Sequence, residues 1–274
     1  MSSAAGDGSE LIDALTARRI GDDRFRAVLP DWFGGHPFGG MVVGHAVNAA
    51  LQTVDSPGHL HSLHAYFLRP TVVARPVDID VERVRDGRSF TTRHVRSRQD
   101  GKTVFSMMCS FHAPETGDEY DRPMPDVPPP EELDVFEGFD DDPHDDLEMR
   151  DVGPLPDADG TYISTRRVWF RLPLATEDVV SHLTAVAYMS DMTGTSFRPH
   201  SLGEWGMHTD ASLDHAVWFH RPIRLDDWML YDLRAVINHG GRSVVHGAMY
   251  SRDGLLRLSL MQELLIRPLA VDNT

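Results

Sequence analysis

Gln262 is the first polar side chain in this sequence that suggests chemistry. In LSLMQELLIR it stands between Leu260 and Leu264 at strand parity, so its carboxamide points with the apolar face. A buried carboxamide needs hydrogen-bond partners. Two candidates are Asp191, which follows a helix-like segment in YMSD, and Ser212, which opens SLDHAVWFHRP. Taken singly, Asp191 also reads as a turn residue and Ser212 as a strand-edge hydroxyl. Taken together they gain weight, because the chain repeats itself. The repeat sets Val54 opposite Asp191, Leu60 opposite Ser212 and Cys109 opposite Gln262. A duplication in which only the second copy carries a carboxylate, a hydroxyl and a carboxamide at core-lining positions points to one site in the C-terminal half. Groups of these types can hold a water and take its proton.

Other constellations carry less. In a strand His59 and His61 share one face while His64 points to the other, and no Cys or carboxylate nearby completes a metal set. No metal and no cofactor are expected. Ser190 and Ser201 lack the glycine pair of a nucleophile elbow. Gly34-Gly35, Gly39-Gly40 and Gly240-Gly241 form neither a dinucleotide fingerprint nor a phosphate loop. Asp210 and His215 have a hydratase-like spacing, but TDASLDHAV lacks the surroundings such enzymes show.

The elements that must position the candidate residues follow from the same repeat. Phe67, Arg69 and Pro70 reappear as Phe219, Arg221 and Pro222, 152 positions later. Gly87-Arg88-Ser89 reappears as Gly241-Arg242-Ser243 after 154, and the turn ending at Gly101 as that ending at Gly254 after 153. A helical segment precedes each set: VVGHAVNAA over 42–50 and VVSHLTAVA over 179–187, 137 apart. Asp100-Gly101 and Asp253-Gly254 are hairpin turns, since glycine accepts positive φ. The expected unit is one apolar helix followed by antiparallel strands that wrap it.

Between the copies, Glu115 to Asp151 holds 16 acidic residues against Arg122 and Arg150, which accounts for 14 of the 16 net negative charges. Five prolines from Pro123 to Pro130 keep the stretch extended. The expected layout is an N-terminal domain over 1–114, an acidic Pro-rich linker over 115–158 and a C-terminal domain over 159–274 that carries the site. No basic stripe exists, so nucleic acid is not an expected partner. No run of 18 apolar residues occurs, so membrane insertion is not expected. The single cysteine and the start MSSAAGDGSELIDAL, without a signal peptide's basic and apolar regions, lead to a cytoplasmic expectation.

The chain resembles the type II acyl-CoA thioesterases over nearly its whole length. The resemblance rests on Phe38-Gly39-Gly40 with Val42-Val43-Gly44, on His61-Ser62 with His64 and Tyr66-Phe67-Leu68-Arg69-Pro70, and on Tyr188-Met189-Ser190-Asp191. It continues in Leu213-Asp214-His215, Trp218-Phe219-His220-Arg221-Pro222 and Gln262-Glu263. It implies an α+β double hotdog fold, hydrolysis of acyl-CoA to fatty acid and CoA, and a role in fatty acid metabolism. The family's Asp, Thr or Ser, and Gln fall on Asp191, Ser212 and Gln262. They would hold and activate one water, and a partly buried Asp191 would have a pKa raised toward neutrality. Backbone N–H groups of Gly39-Gly40-Met41 would meet the oxyanion, with Met41 where relatives often carry glutamine. His61 would line the substrate or serve as a core histidine. A homo-oligomer is expected from sheet edges and helix faces left by the fused halves. Two other readings of the fold remain: a non-catalytic acyl-CoA binding or regulatory protein, and a hotdog enoyl-CoA hydratase.

Overall fold

The computed structural model describes residues 8–32, 35, 37–135, 146–156, 158, 160–161, 163–193 and 208–268. The N-terminal half contains α1 (Ser9–Leu15), β1 (Arg18–Gly21), β2 (Arg24–Val28), α2 (Gly39–Leu51), β3 (Leu60–Phe67), β4 (Pro76–Asp86), β5 (Phe90–Gln99) and β6 (Lys102–His112). The C-terminal half contains β7 (Glu148–Pro156), β8 (Ile163–Arg171), α3 (Val179–Ser190), β9 (His208–Ser212), β10 (Asp214–Phe219), β11 (Met229–His239), β12 (Arg242–Ser251) and β13 (Leu256–Pro268).

All strands join one antiparallel sheet in the order β1-β2-β4-β5-β6-β3-β10-β13-β12-β11-β8-β7, with β9 also on β13. The halves meet where β3 pairs β10, with Asp214 opposite Tyr66 and Trp218 opposite Ser62. Alternating inward residues such as Val77, Ile79 and Val81 of β4 cover α2, which is buried from Gly40 to Leu51. A helix buried all round must be apolar all round, which explains the scarcity of charge there. This is the double hotdog layout. The two helices touch across the junction, where Asn48 Nδ2 donates to Thr184 Oγ1 at 3.3 Å. The hydroxyls of Thr53 and Ser190 donate to Ala50 O and Ala187 O at 2.7 and 2.8 Å, so the helix ends are equivalent at the spacing of the sequence repeat.

The acidic Pro-rich stretch is more than a spacer. Its later part forms β7, an edge strand where prolines cost no ladder bond. Its earlier part straps the outer face of the C-terminal half: Trp169 Nε1 donates to Pro128 O at 3.0 Å, and Met124, Val127 and Leu133 pack on Trp169, Trp228, Leu230 and Tyr250. Asp121 and Glu131 pair with Arg221 and Arg252 at 2.9 and 2.7 Å. Among the described residues no helix is long and apolar enough to cross a membrane.

Candidate active site

Asp191 is the C-cap of α3, with φ −83° and ψ 0°, and its side chain is 2% exposed. Gln262 points inward from β13 and is fully buried, as its parity between Leu260 and Leu264 requires. Ser212 ends β9, opposite Leu264. There the strand breaks: Leu213 N donates to Glu263 O at 2.9 Å, while Leu213 O accepts from Phe67 N at 3.0 Å. The break leaves the Ser212 hydroxyl at the junction of the two halves.

The three side chains meet. Gln262 Nε2 donates to Asp191 Oδ1 at 2.6 Å and to Ser212 Oγ at 2.8 Å, and Ser212 Oγ donates to Asp191 Oδ1 at 3.2 Å. The last bond is long for a hydroxyl on a carboxylate, so it is the one that yields most easily. The carboxamide oxygen of Gln262 accepts from Thr193 Oγ1. The other oxygen of Asp191 faces the first turn of α2, because a methyl placed on Gly39 would sit 2.5 Å from Asp191 Oδ2 and 3.1 Å from the Phe67 ring. The N-terminus of α2, which belongs to the N-terminal half, therefore closes a site whose polar side chains come from the C-terminal half. That helix end differs from its counterpart. Asp178 caps α3 by accepting from Val180 N and Ser181 N, whereas Phe38 at the α2 N-cap makes no side-chain cap. The positive end of the α2 dipole is thus directed at the carboxylate.

Behind the site lies a second buried polar layer. Tyr231 OH donates to Ser190 O at 2.7 Å, and burial, followed by the charge of Asp191, raises the phenol well above its ordinary pKa and keeps it a donor. Ser190 Oγ meets His215 Nε2 at 2.8 Å. Burial pushes His215 down to about 4, opposed by a hydrogen bond with Gln262, and pushes His45 down to about 4 against its bond to Ala14 O. Both imidazoles are neutral in the fold. Because their folded pKa values lie below the unfolded value near 6.5, the unfolded chain takes up protons first as pH falls. Stability is therefore expected to drop from pH ~6.5 to pH ~4, with up to about 3 kcal/mol from each histidine. Denaturant titrations across that range check this, and His45→Gln should flatten part of the slope. An equal slope in the variant would exclude His45 as a source.

The N-terminal half shows why there is one site. Cys109 and Arg93 are paired across β5 and β6 as Gln262 and Val245 are across β13 and β12. Arg93 is 1% exposed and binds Thr53 Oγ1, Thr53 O and Asp86 at 3.0, 3.1 and 2.5 Å. A satisfied guanidinium and the apolar Val54 and Leu60 stand where the C-terminal half has its polar set. Burial pushes the Cys109 thiol up to about 12, so it is no nucleophile.

The remaining candidates divide. Gly39 and Gly40 stand at the site, and Gly40 has no room for a side chain: its Cβ would lie 2.5 Å from Tyr188 O. Met41 N donates to Phe38 O at 3.1 Å, so its amide serves the helix rather than an oxyanion, and its side chain is buried. His61 is not brought to this cluster. It lies at the far end of β3, against Phe90 and His112 with ring centroids 6.0 Å away, six residues from Phe67 or roughly 20 Å along a strand. His215 bonds Ser190, and the side chain of Asp210 is outside the described residues. Among the described residues no three His, Cys, Asp or Glu side chains form a metal-binding group. Thr193, Tyr231 and the Ser190–His215 pair were not foreseen. Thr193, Ser190 and His215 lie close in sequence to Asp191 or Ser212, whereas Tyr231 on β11 carries no such signal.

Comparison with known proteins agrees with this fold. Residues 29–112 match the acyl-CoA thioesterase N-terminal domain, and residues 114–266 match the acyl-CoA thioesterase C-terminal domain. The chain belongs to the type II acyl-CoA thioesterase family. It is 35% identical to acyl-coenzyme A thioesterase 8 of Homo sapiens, over 84% of this chain and 80% of that one. An acyl-CoA thioesterase II of Mycobacterium marinum superposes with a TM-score of 0.79 at 35% identity, covering 94% of this chain and 98% of that one. A hot dog fold protein of Alicyclobacillus acidocaldarius shares the fold with a TM-score of 0.74 at 21% identity, covering 94% of this chain and 98% of that one.

Proposed function

We propose that this chain hydrolyses acyl-CoA thioesters to free acid and CoA with one directly activated water. The observation that carries the reading is the double donor Gln262 Nε2, which ties Asp191 and Ser212 into one polar set at the junction of the halves. A water entering this set displaces the long Ser212–Asp191 contact, donates one proton to Asp191 and accepts from Ser212. Its oxygen attacks the thioester carbon as its proton passes to Asp191. The developing oxyanion is met at the uncapped N-terminus of α2, beside Gly39 and Gly40, where the helix dipole favours negative charge. The carbon–sulfur bond then breaks, and the thiolate needs no strong general acid because a thiol has a pKa of roughly 8.5. The proton held by Asp191 returns to the thiolate or to solvent. No cofactor enters this scheme.

Thiol release from short, medium and long acyl-CoAs, measured for wild type beside Gln262→Ala, tests the proposal. Turnover by wild type and a loss of roughly a hundredfold in the variant are expected. Binding of acyl-CoA without thiol release would favour the non-catalytic reading. Enoyl-CoA hydration would favour the hydratase. The proposal extends to a cytoplasmic homo-oligomer; the edge strand β1 and the exposed Tyr66 and Met108 on the outer face of the N-terminal half support the oligomer. Light scattering that gives a monomer would remove the oligomer.

A further inference from the structure

We infer that Thr193 is a positioning residue that holds the carboxamide of Gln262 in its working orientation. The inference rests on the proposed role of Gln262. Thr193 is fully buried, lies two residues beyond Asp191, and directs its hydroxyl at Gln262 Oε1. A carboxamide has nearly the same shape when its oxygen and nitrogen are exchanged, so only hydrogen bonds select one orientation. In the observed one, both protons of Nε2 are used, on Asp191 Oδ1 at 2.6 Å and Ser212 Oγ at 2.8 Å. An ionised Asp191 enforces that choice because it only accepts. Once Asp191 has taken the water's proton, it can donate, and its preference for Nε2 weakens. The bond from Thr193 does not depend on the charge of Asp191. It satisfies the buried carboxamide oxygen throughout the cycle and keeps Nε2 toward the water site. Without it, Oε1 keeps only its contact with His215, and the amide can turn its oxygen toward Asp191.

The closest test is a double-mutant cycle. Thr193→Val keeps the shape and removes the hydroxyl. It is expected to lower kcat for acyl-CoA hydrolysis by about tenfold or more with KM within about twofold, because positioning acts on the transition state. Thr193→Ser restores the hydroxyl and is expected to recover most of the rate. In a Gln262→Ala background, Thr193→Val should cost nothing further, since Thr193 acts only through Gln262. Thermal melts check each fold, and Thr193→Ala removes the same hydroxyl if the valine variant does not fold. Wild-type kcat in Thr193→Val and Thr193→Ala, beside an impaired Gln262→Ala, overturns the inference and leaves the site reading intact. A loss in Thr193→Val that persists unchanged in the Gln262→Ala background marks Thr193 as structural and overturns it as well. A Gln262→Ala variant as active as wild type removes the site reading and the inference with it.

Discussion

Asp191→Asn is expected to reduce the turnover of acyl-CoA by roughly a hundredfold or more without unfolding the protein. Asparagine has the shape of aspartate, and its carbonyl oxygen can still accept from Gln262 Nε2 and Ser212 Oγ, so the polar set stays assembled. The charge does not survive. An amide cannot take a proton from water near neutral pH, and it no longer balances the positive end of α2. Thiol release measures the loss, and a thermal midpoint near that of wild type shows that the fold is kept. A variant that hydrolyses acyl-CoA at the wild-type rate would mean that Asp191 is a helix cap and nothing more.

The second large effect concerns two neighbouring glycines that should fail differently. In Gly39→Ala the new methyl would stand 2.5 Å from Asp191 Oδ2, so the carboxylate must move. A misplacement of about 1 Å can cost on the order of a hundredfold in rate. Here kcat should collapse while stability changes little, because the displaced atom belongs to a side chain. In Gly40→Ala the methyl would meet Tyr188 O at 2.5 Å and the Phe38 ring at 2.4 Å, and the first of these is backbone. Overpacking of this kind costs about 1–3 kcal/mol. Gly40→Ala should therefore lower the melting temperature most. Parallel melts and thiol-release assays separate the two. Equal loss of stability in both variants would mean that Gly39 serves helix packing alone.

Much of this was legible because a duplication supplies its own control. Apolar Val54, Leu60 and Cys109 opposite Asp191, Ser212 and Gln262 singled out three polar positions, and the helix ends carry matching hydroxyl bonds at Thr53 and Ser190, at the repeat spacing. Strand parity made Gln262 the clearest case. What the repeat could not reveal is what one half does to the other. Gly39 of the first copy meets Asp191 of the second only because α2 and α3 pack across the junction, and no spacing within a copy encodes that contact. Thr193 was hidden for a related reason: its partner lies 69 residues away. The acidic stretch read as a spacer because Met124, Val127 and Leu133 are scattered among prolines and carboxylates, yet each finds the outer face of the sheet. His61 illustrates the reverse, a motif residue whose strand carries it away from the site.

Direct attack by water is distinguished from attack by a side chain in a single turnover in ¹⁸O-water, with enzyme in excess over acyl-CoA, followed by intact-protein and peptide mass spectrometry. Free acid that carries solvent ¹⁸O is expected, with no acylated protein at any quench time and no label in the peptide that contains Asp191. An acyl adduct on the protein, or ¹⁸O in the Asp191 carboxylate, would show that this side chain attacks the thioester itself and would contradict the water mechanism.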